Sequence, residues 1–225
     1  MVIPSSQKSG RARKRAAAPG AVSVDDARQQ ILDAALAAFA ARGFHGTSIP
    51  DIAGAAGVGV ASIYRRFESK EHLVNAVFRD AKSRLRDALL LGLELARPPR
   101  ALFLEVWARL VRFQRAQPVA FQFLEMQDHV PYLDGESRAL EASLLLPILV
   151  ATEAATGAAH RASASRVPPP VLIAMIWGAF VGIVKATRLG YLATDEATLL
   201  GAGEVSWAAV ASTFAKENPH AQRRR

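Results

Sequence analysis

Between Ser62 and Lys70 the chain gathers a hydroxyl, a phenol, two guanidinium groups and an ammonium, on Ser62, Tyr64, Arg65, Arg66 and Lys70. Groups of this kind bind phosphate oxygens and the edges of bases, and one arginine can take two acceptors of a guanine at once. Chemistry-bearing residues are sparse elsewhere. The five histidines, His45, His72, His129, His160 and His220, include no pair at metal-ligand spacing. The stretch "EMQDH" places Glu125 and His129 on one helical face with Asp128 beside them, which fits either a cation or polar-ligand site or a solvated helix end. Cysteine is absent, which excludes disulfides, thiolate metal sites and cysteine nucleophiles. No glycine loop that cradles phosphate, nucleophile elbow or acid pair is present, so no catalytic residue, metal or cofactor is expected and an enzyme is not.

About half of the 225 residues are apolar, enough for a sizeable core in one or two domains. Eight of the 28 basic residues lie in the termini (Lys8, Arg11, Arg13, Lys14, Arg15, Arg223, Arg224 and Arg225), so the body is balanced against the 20 acidic residues. Residues 1–20 and 218–225 read as basic tails, either solubilising extensions or arms that add phosphate contacts. The start lacks the apolar run of a secretory signal, and a cysteine-free chain suits a cytoplasmic setting. One charge-free stretch, residues 167–184, opens with three prolines. Its apolar helical part is expected to be about 14 residues, the length of a buried core helix rather than a membrane span.

Positioning elements follow from periodicity. Apolar residues recur at helical spacing almost throughout and no alternating stretch reads as a strand, which predicts an all-α protein of about nine helices. Ser23 and Asp26 form a capping box before the stripe Ile31, Leu32, Ala35, Leu36 and Phe39, and Gly43 supplies a stop. Further breaks fall near Thr47, Gly57, Ser69, Pro98, Pro118, Asp134, Pro168 and Thr194. Ser69 to Ala96 reads as one long helix joining a compact head to the remainder, and Pro147 should kink a later helix. The implied division is a head of residues 21–68 and a body of residues 69–217.

In the stretch "TSIPDIAGAAGVGVASIYRRFESKE", Thr47 or Ser48 can cap a short helix with inward Ile49, Ile52, Ala53 and Ala56. A small residue at Ala53 and a glycine at Gly57 are what two helices need to cross closely through a tight turn. The second helix, about Val60 to Phe67, then exposes Ser62, Arg65 and Arg66 beside Tyr64. Two readings fit: a helix-turn-helix that presents these groups to DNA, or a helical hairpin in a bundle with solvated arginines.

Residues 31–78 resemble the N-terminal domain of tetracycline-repressor-type (TetR family) transcriptional regulators. The marks are Phe39, Gly43, Thr47, Ile52-Ala53, Ala56-Gly57-Val58, Ile63-Tyr64, Phe67 and Ser69-Lys70-Glu71 leading to Leu73. The resemblance implies that the second short helix enters the major groove of double-stranded operator DNA. It assigns Thr47, Tyr64 and Lys70 to phosphates, Ser48 to the same surface, and the exposed positions among Val60, Ala61, Ser62, Arg65 and Arg66 to the groove. Gly59 replaces a usual capping serine or threonine, Ala61 a frequent glycine, and Arg66 a frequent histidine or tyrosine. Val60 and Ala61 can offer only apolar contact, Ser62 is ambiguous between bases, and Arg65 is the best base reader, although a phosphate contact suits an arginine at this place equally.

The body is expected to bind a small apolar or amphipathic effector and to make a homodimer. An effector pocket is expected around Trp107, Phe121, Met126, Leu145 and Met175, although the same stripes equally suit plain core packing. Trp177, Gly178, Val181, Gly182 and Trp207 are expected at the dimer interface, since two late helices carry more apolar surface than one body needs to cover. The resulting expectation is a ligand-responsive repressor. A helical interaction module without DNA affinity and a helical enzyme are the alternatives, opposed respectively by the Tyr64, Arg65, Arg66 and Lys70 group and by the empty catalytic inventory.

Overall fold

A computed structural model describes residues 24–144, 146 and 167–212. The Ser23 cap, Leu145, the Pro147 kink and both basic tails lie outside the described residues. The described chain is helical and without strands: α1 Val24–Arg42, α2 Ile49–Ala55, α3 Val60–Tyr64, α4 Lys70–Leu90, α5 Pro99–Ala116, α6 Pro118–Met126, α7 from residue 135 through 144, α8 Pro169–Arg188 and α9 Glu196–Ser212. A 3-10 turn, Val130–Tyr132, precedes α7.

Helices α1 to α3 form the head, closed by Ile31, Ala35, Phe39, Ile52, Ala53 and Ile63, all buried. Ser48 caps α2 by accepting from the Asp51 amide at 3.2 Å, and Pro50 falls in the first turn, where its missing N–H costs nothing. Gly57 takes φ +65°, a conformation that side-chain-bearing residues avoid, and this lets Val58 N–H return to the Ala53 carbonyl at 3.0 Å. The turn between α2 and α3 is thereby closed. Helix α3 starts at Gly59 without a side-chain cap and is shorter than expected, ending at Tyr64.

Helix α4 is capped by Ser69, whose hydroxyl accepts from His72 N–H at 3.1 Å. It stops at Leu90 rather than Ala96, because Gly92 adopts φ +65° and reverses the chain. Helix α8 departs from expectation in the opposite sense. It spans 20 residues, since Pro169 and Pro170 occupy its first turn, where proline is tolerated. By length and composition it could cross a membrane. In this fold it is tied to the bundle instead, through fully buried Phe180 and a hydrogen bond from Trp177 to α6.

The core is continuous from head to body. Helices α4 and α6 both pack on α1, and α5 packs on α4, α6 and α9. Two glutamine amides on and just after α6, Gln122 at 2.7 Å and Gln127 at 3.1 Å, converge on the Ala40 carbonyl at the C-terminal end of α1. Carbonyls there lack helical partners, so these bonds fasten α6 to the head. Buried Asn75 on α4 is fully satisfied: it donates to the Glu71 and Tyr132 carbonyls and accepts from Asp134 N–H and the Ser137 hydroxyl. It thus pins α4 to the turn after α6.

Candidate nucleic-acid interface

With Ile63 fully buried against the head, helical spacing of about 100° per residue turns Ala61 and Arg65 outward. Tyr64 is 52% exposed and Val60 38%, on the same outer surface. Ser62 stands to one side of Arg65, half-buried. Arg66 folds back along the helix, its Nη1 donating to the Ser62 carbonyl at 3.0 Å and to the Ser62 hydroxyl at 2.9 Å, while Arg65 Nη2 donates to the same hydroxyl at 3.2 Å. The two guanidinium groups therefore share one serine.

Around α3 lie further cations. Lys70 holds its ammonium 4.3 Å from the centre of the Phe44 ring, and Arg28 of α1 stands 5.8 Å from the Phe67 ring. Such contacts stabilise a cation on an aromatic face without neutralising it. Arg28 was not singled out by sequence, because only its place one helix away from Phe67 distinguishes it.

Thr47 departs from expectation. It is only 3% exposed, and its hydroxyl points inward to the Gly43 carbonyl at 2.8 Å and the Ala38 carbonyl at 3.1 Å. The hydroxyl is spent on carbonyls in the last turns of α1 and just past its end, so it does not face outward for a phosphate. Ser48, exposed at the start of α2, holds that outward place.

In the body, Trp107 and Phe121 are both buried and both pack on Phe180. Trp107 is 3% exposed, donates to the Leu199 carbonyl at 2.7 Å and meets Phe180 edge-on at 5.2 Å, and Phe121 meets Phe180 at 5.7 Å. Met126 packs partly buried against the same core. Met175 does not join them. It lies five residues from inward-facing Phe180, about 140° round the helix, and is 62% exposed.

That outward face of α8 also carries Val171, Gly178 and Gly182, where a Cβ added to either glycine would meet nothing within 4 Å. Val181 sits at its margin, half-buried, whereas Trp177, expected on this face, lies about 60° from Phe180 and turns inward to Glu125. Trp207 of α9 turns instead to Phe103 of its own chain, at 5.5 Å between ring centres.

Of the "EMQDH" residues Asp128 is exposed, while Glu125 and His129 turn inward, and among the described residues they form no metal-holding cluster. Helix α6 ends at Met126, so His129 lies beyond it, buried between Phe78, Phe123 and Tyr132. Its Nε2 meets the Phe123 carbonyl, which can only accept, so Nδ1 accepts from the Tyr132 hydroxyl at 2.7 Å. Burial pushes its pKa down. Glu125 is nine-tenths buried, with Oε2 accepting from Trp177 Nε1 at 2.7 Å. Its Oε1 is buried with no hydrogen-bond partner among the described residues, 4.0 Å from the Lys82 ammonium, and Lys82 also lies 3.4 Å from Glu141. Four helices, α4, α6, α7 and α8, thus converge polar groups on one interior point. The sequence signal was Lys82, a charge inside the apolar stripe Phe78, Ala81, Leu85 and Leu89.

A three-helix head with an outward, cation-flanked α3 on an all-helical body defines a helix-turn-helix DNA-binding protein. Residues 31–77 match the family model for bacterial regulatory proteins of the tetR family, and residues 78–212 match the tetracyclin repressor-like C-terminal domain. The chain belongs to the TetR family of transcriptional regulators. It is 38% identical over 71 residues to the transcriptional repressor KstR2 of Rhodococcus jostii (strain RHA1), a match covering 30% of this chain and 35% of the relative. The chain therefore matches only about a third of the length of that curated relative. Over the whole fold it resembles a TetR family regulator from Marinobacter aquaeolei VT8, with TM-score 0.70, 25% identity and coverage of 82% and 95% of the two chains. It also shares its fold with AibR, solved with isovaleryl coenzyme A and operator DNA, at TM-score 0.64, 21% identity and coverage of 80% and 97%.

Proposed function

We propose that the protein is a homodimeric, ligand-responsive repressor that binds a two-fold operator through α3 and leaves it when a small apolar or amphipathic effector enters the body. The observation that carries this reading is the outward surface of α3, where Ala61 and Arg65 stand opposite buried Ile63 with exposed Val60 and Tyr64 to one side, flanked by Lys70 and Arg28. Tyr64 and Lys70 serve as phosphate contacts, as does Ser48 in the outward place that Thr47 does not occupy. Dimerisation through the open glycine face of α8 would set two heads at half-sites about 34 to 36 Å apart, or a multiple of that. Such a protein works beside the chromosome, in the cytoplasm.

Release is supported by how the body is wired. Helix α6 holds the end of α1 through Gln122 and Gln127 and meets α8 through Glu125 and Trp177. A molecule that moves α6 therefore moves the head. The effector reading rests on the interior point at Glu125, where a buried oxygen has no hydrogen-bond partner among the described residues, more than on the Trp107 and Phe121 packing. AibR, with an acyl coenzyme A and its operator, offers a precedent of similar fold.

The test is a mobility-shift assay with DNA flanking the protein's own gene. Wild type should retard one fragment specifically, and Tyr64→Phe and Lys70→Ala should weaken binding to all sequences by similar factors, because phosphate contacts position without specifying. Retardation of every fragment alike, or of none, would defeat the reading.

A further inference from the structure

Ser62 is the one polar side chain on the groove side of α3 that is engaged by two cations at once. A serine hydroxyl has two acceptor lone pairs and a single O–H to donate. Arg66 Nη1 at 2.9 Å and Arg65 Nη2 at 3.2 Å both donate to Ser62 Oγ, which occupies both lone pairs. What remains is the O–H, sharpened as a donor by two positive charges beside it. From this arrangement we infer that Ser62 is a specificity-determining residue that reads DNA as a donor only, selecting a hydrogen-bond acceptor on the base it faces and rejecting cytosine.

The chemistry of the major groove makes the inference sharp. Guanine presents N7 and O6, adenine N7 and thymine O4, all acceptors, whereas cytosine presents only its N4 amino donor. A serine with a free lone pair can turn to suit either kind of edge. This one cannot accept from cytosine without losing an arginine. Arg66 has a matching restriction: with Nη1 bonded to both the carbonyl and the hydroxyl of Ser62, it serves as a positioning residue for that hydroxyl.

The inference deepens the DNA-binding reading and rests on it. Its test is selection of bound DNA from a randomised pool by the full chain, followed by anisotropy titrations with every single-base variant of the recovered half-site. One position should disfavour cytosine by about five- to tenfold, the worth of one hydrogen bond in groove recognition. Ser62→Ala should level that position while leaving preferences elsewhere, and Ser62→Thr, which keeps the hydroxyl, should retain it. Arg66→Ala frees a lone pair, so the cytosine penalty should shrink at that position alone, whatever the overall loss of affinity. A Ser62→Ala variant weakened equally on every sequence would make the hydroxyl a phosphate contact and overturn the inference. So would an unchanged cytosine penalty in Arg66→Ala. Failure of wild type to recover any preferred sequence would instead overturn the DNA-binding reading, and this inference with it.

Discussion

Trp177 on α8 donates its indole N–H to Glu125 Oε2 on α6 at 2.7 Å, joining a helix with an open outer face to the helix that grips the head. Removing that donor leaves a buried carboxylate with neither oxygen hydrogen-bonded in the described structure, since Oε1 already lacks a partner. Trp177→Phe should therefore cost about 1 to 3 kcal/mol, more than the loss of an ordinary exposed hydrogen bond, and urea unfolding measures it.

The same carboxyl makes a pH prediction. Burial, opposed by Lys82 and the Trp177 bond, raises the Glu125 pKa above 4.5. A folded pKa above the unfolded value contributes stability that is fully present below about 4.5 and lost as pH rises through the raised folded value. Glu125→Gln keeps an acceptor for Trp177 and removes that titration. Its stability relative to wild type should rise as pH climbs from 4.5 towards neutrality, and parallel unfolding curves at all pH values would refute the assignment.

Asp134 acts with the opposite sign. Partial desolvation raises its pKa, but Ser137 N–H at 2.8 Å and the Arg79 guanidinium at 2.7 Å overcome this and hold it at about 2. Its stabilising contribution is present above about 3.8 and lost as pH falls towards about 2. Asp134 also caps α7, so Asp134→Ala should cost about 0.5 to 2 kcal/mol at neutral pH. The deficit against wild type should shrink as pH falls from about 3.8 towards about 2 in thermal unfolding.

The head was legible because its constraints are local. Gly57, Ala53 and Ile63 sit within a few residues of one another, and the tight turn admits few alternatives to small, glycine and large apolar at those places. Thr47 was not legible, because the carbonyls of Ala38 and Gly43 compete for its hydroxyl and only the fold brings Ala38 within reach. In the body, the breakers Pro98, Pro118 and Pro168 mark where helices begin, but a lone glycine in a helical pattern is no certain stop, and at Gly92 α4 ends six residues earlier than expected. Long-range partners were beyond local pattern altogether. The pairing of Glu125 with Trp177, 52 residues away, or of Trp107 with Leu199, 92 residues away, has no local trace. Apolar stripes show that a helix is covered, not by what, which is why Trp107 and Phe121 read equally as pocket wall or core.

The core reading of Trp107 has its own test. A Cβ placed on Gly203 would lie 2.6 Å from Trp107 Cδ1 and 2.9 Å from Nε1, and the indole is held by its bond to the Leu199 carbonyl. It cannot give way cheaply. Gly203→Ala should push α9 from α5 and cost about 1 to 3 kcal/mol, outweighing the roughly 1 kcal/mol that alanine gains over glycine as a helix former. A variant as stable as wild type, measured by urea midpoint, would mean that α9 is free to shift.

Gly182 separates the isolated chain from the assembly. An added Cβ there meets nothing within 4 Å, so within one chain Gly182→Leu causes no clash and should gain up to about 1 kcal/mol of helix propensity. If a second copy packs α8 against α8 across Gly178 and Gly182, the leucine must instead force the two helices apart, at about 1 to 3 kcal/mol or more at a close contact. The two effects fall on different measurements. Sedimentation equilibrium should show dimer association weakened by at least about fivefold, while the dissociated chain unfolds at an unchanged or slightly higher temperature. Affinity for a complete two-fold operator should fall because two linked heads bind far more tightly than one, whereas affinity for an isolated half-site should stay where it was. A variant that dimerises as wild type does would move the interface off the glycine face of α8. One that dimerises less but holds the full operator as tightly would mean that operator affinity does not depend on dimerisation through α8.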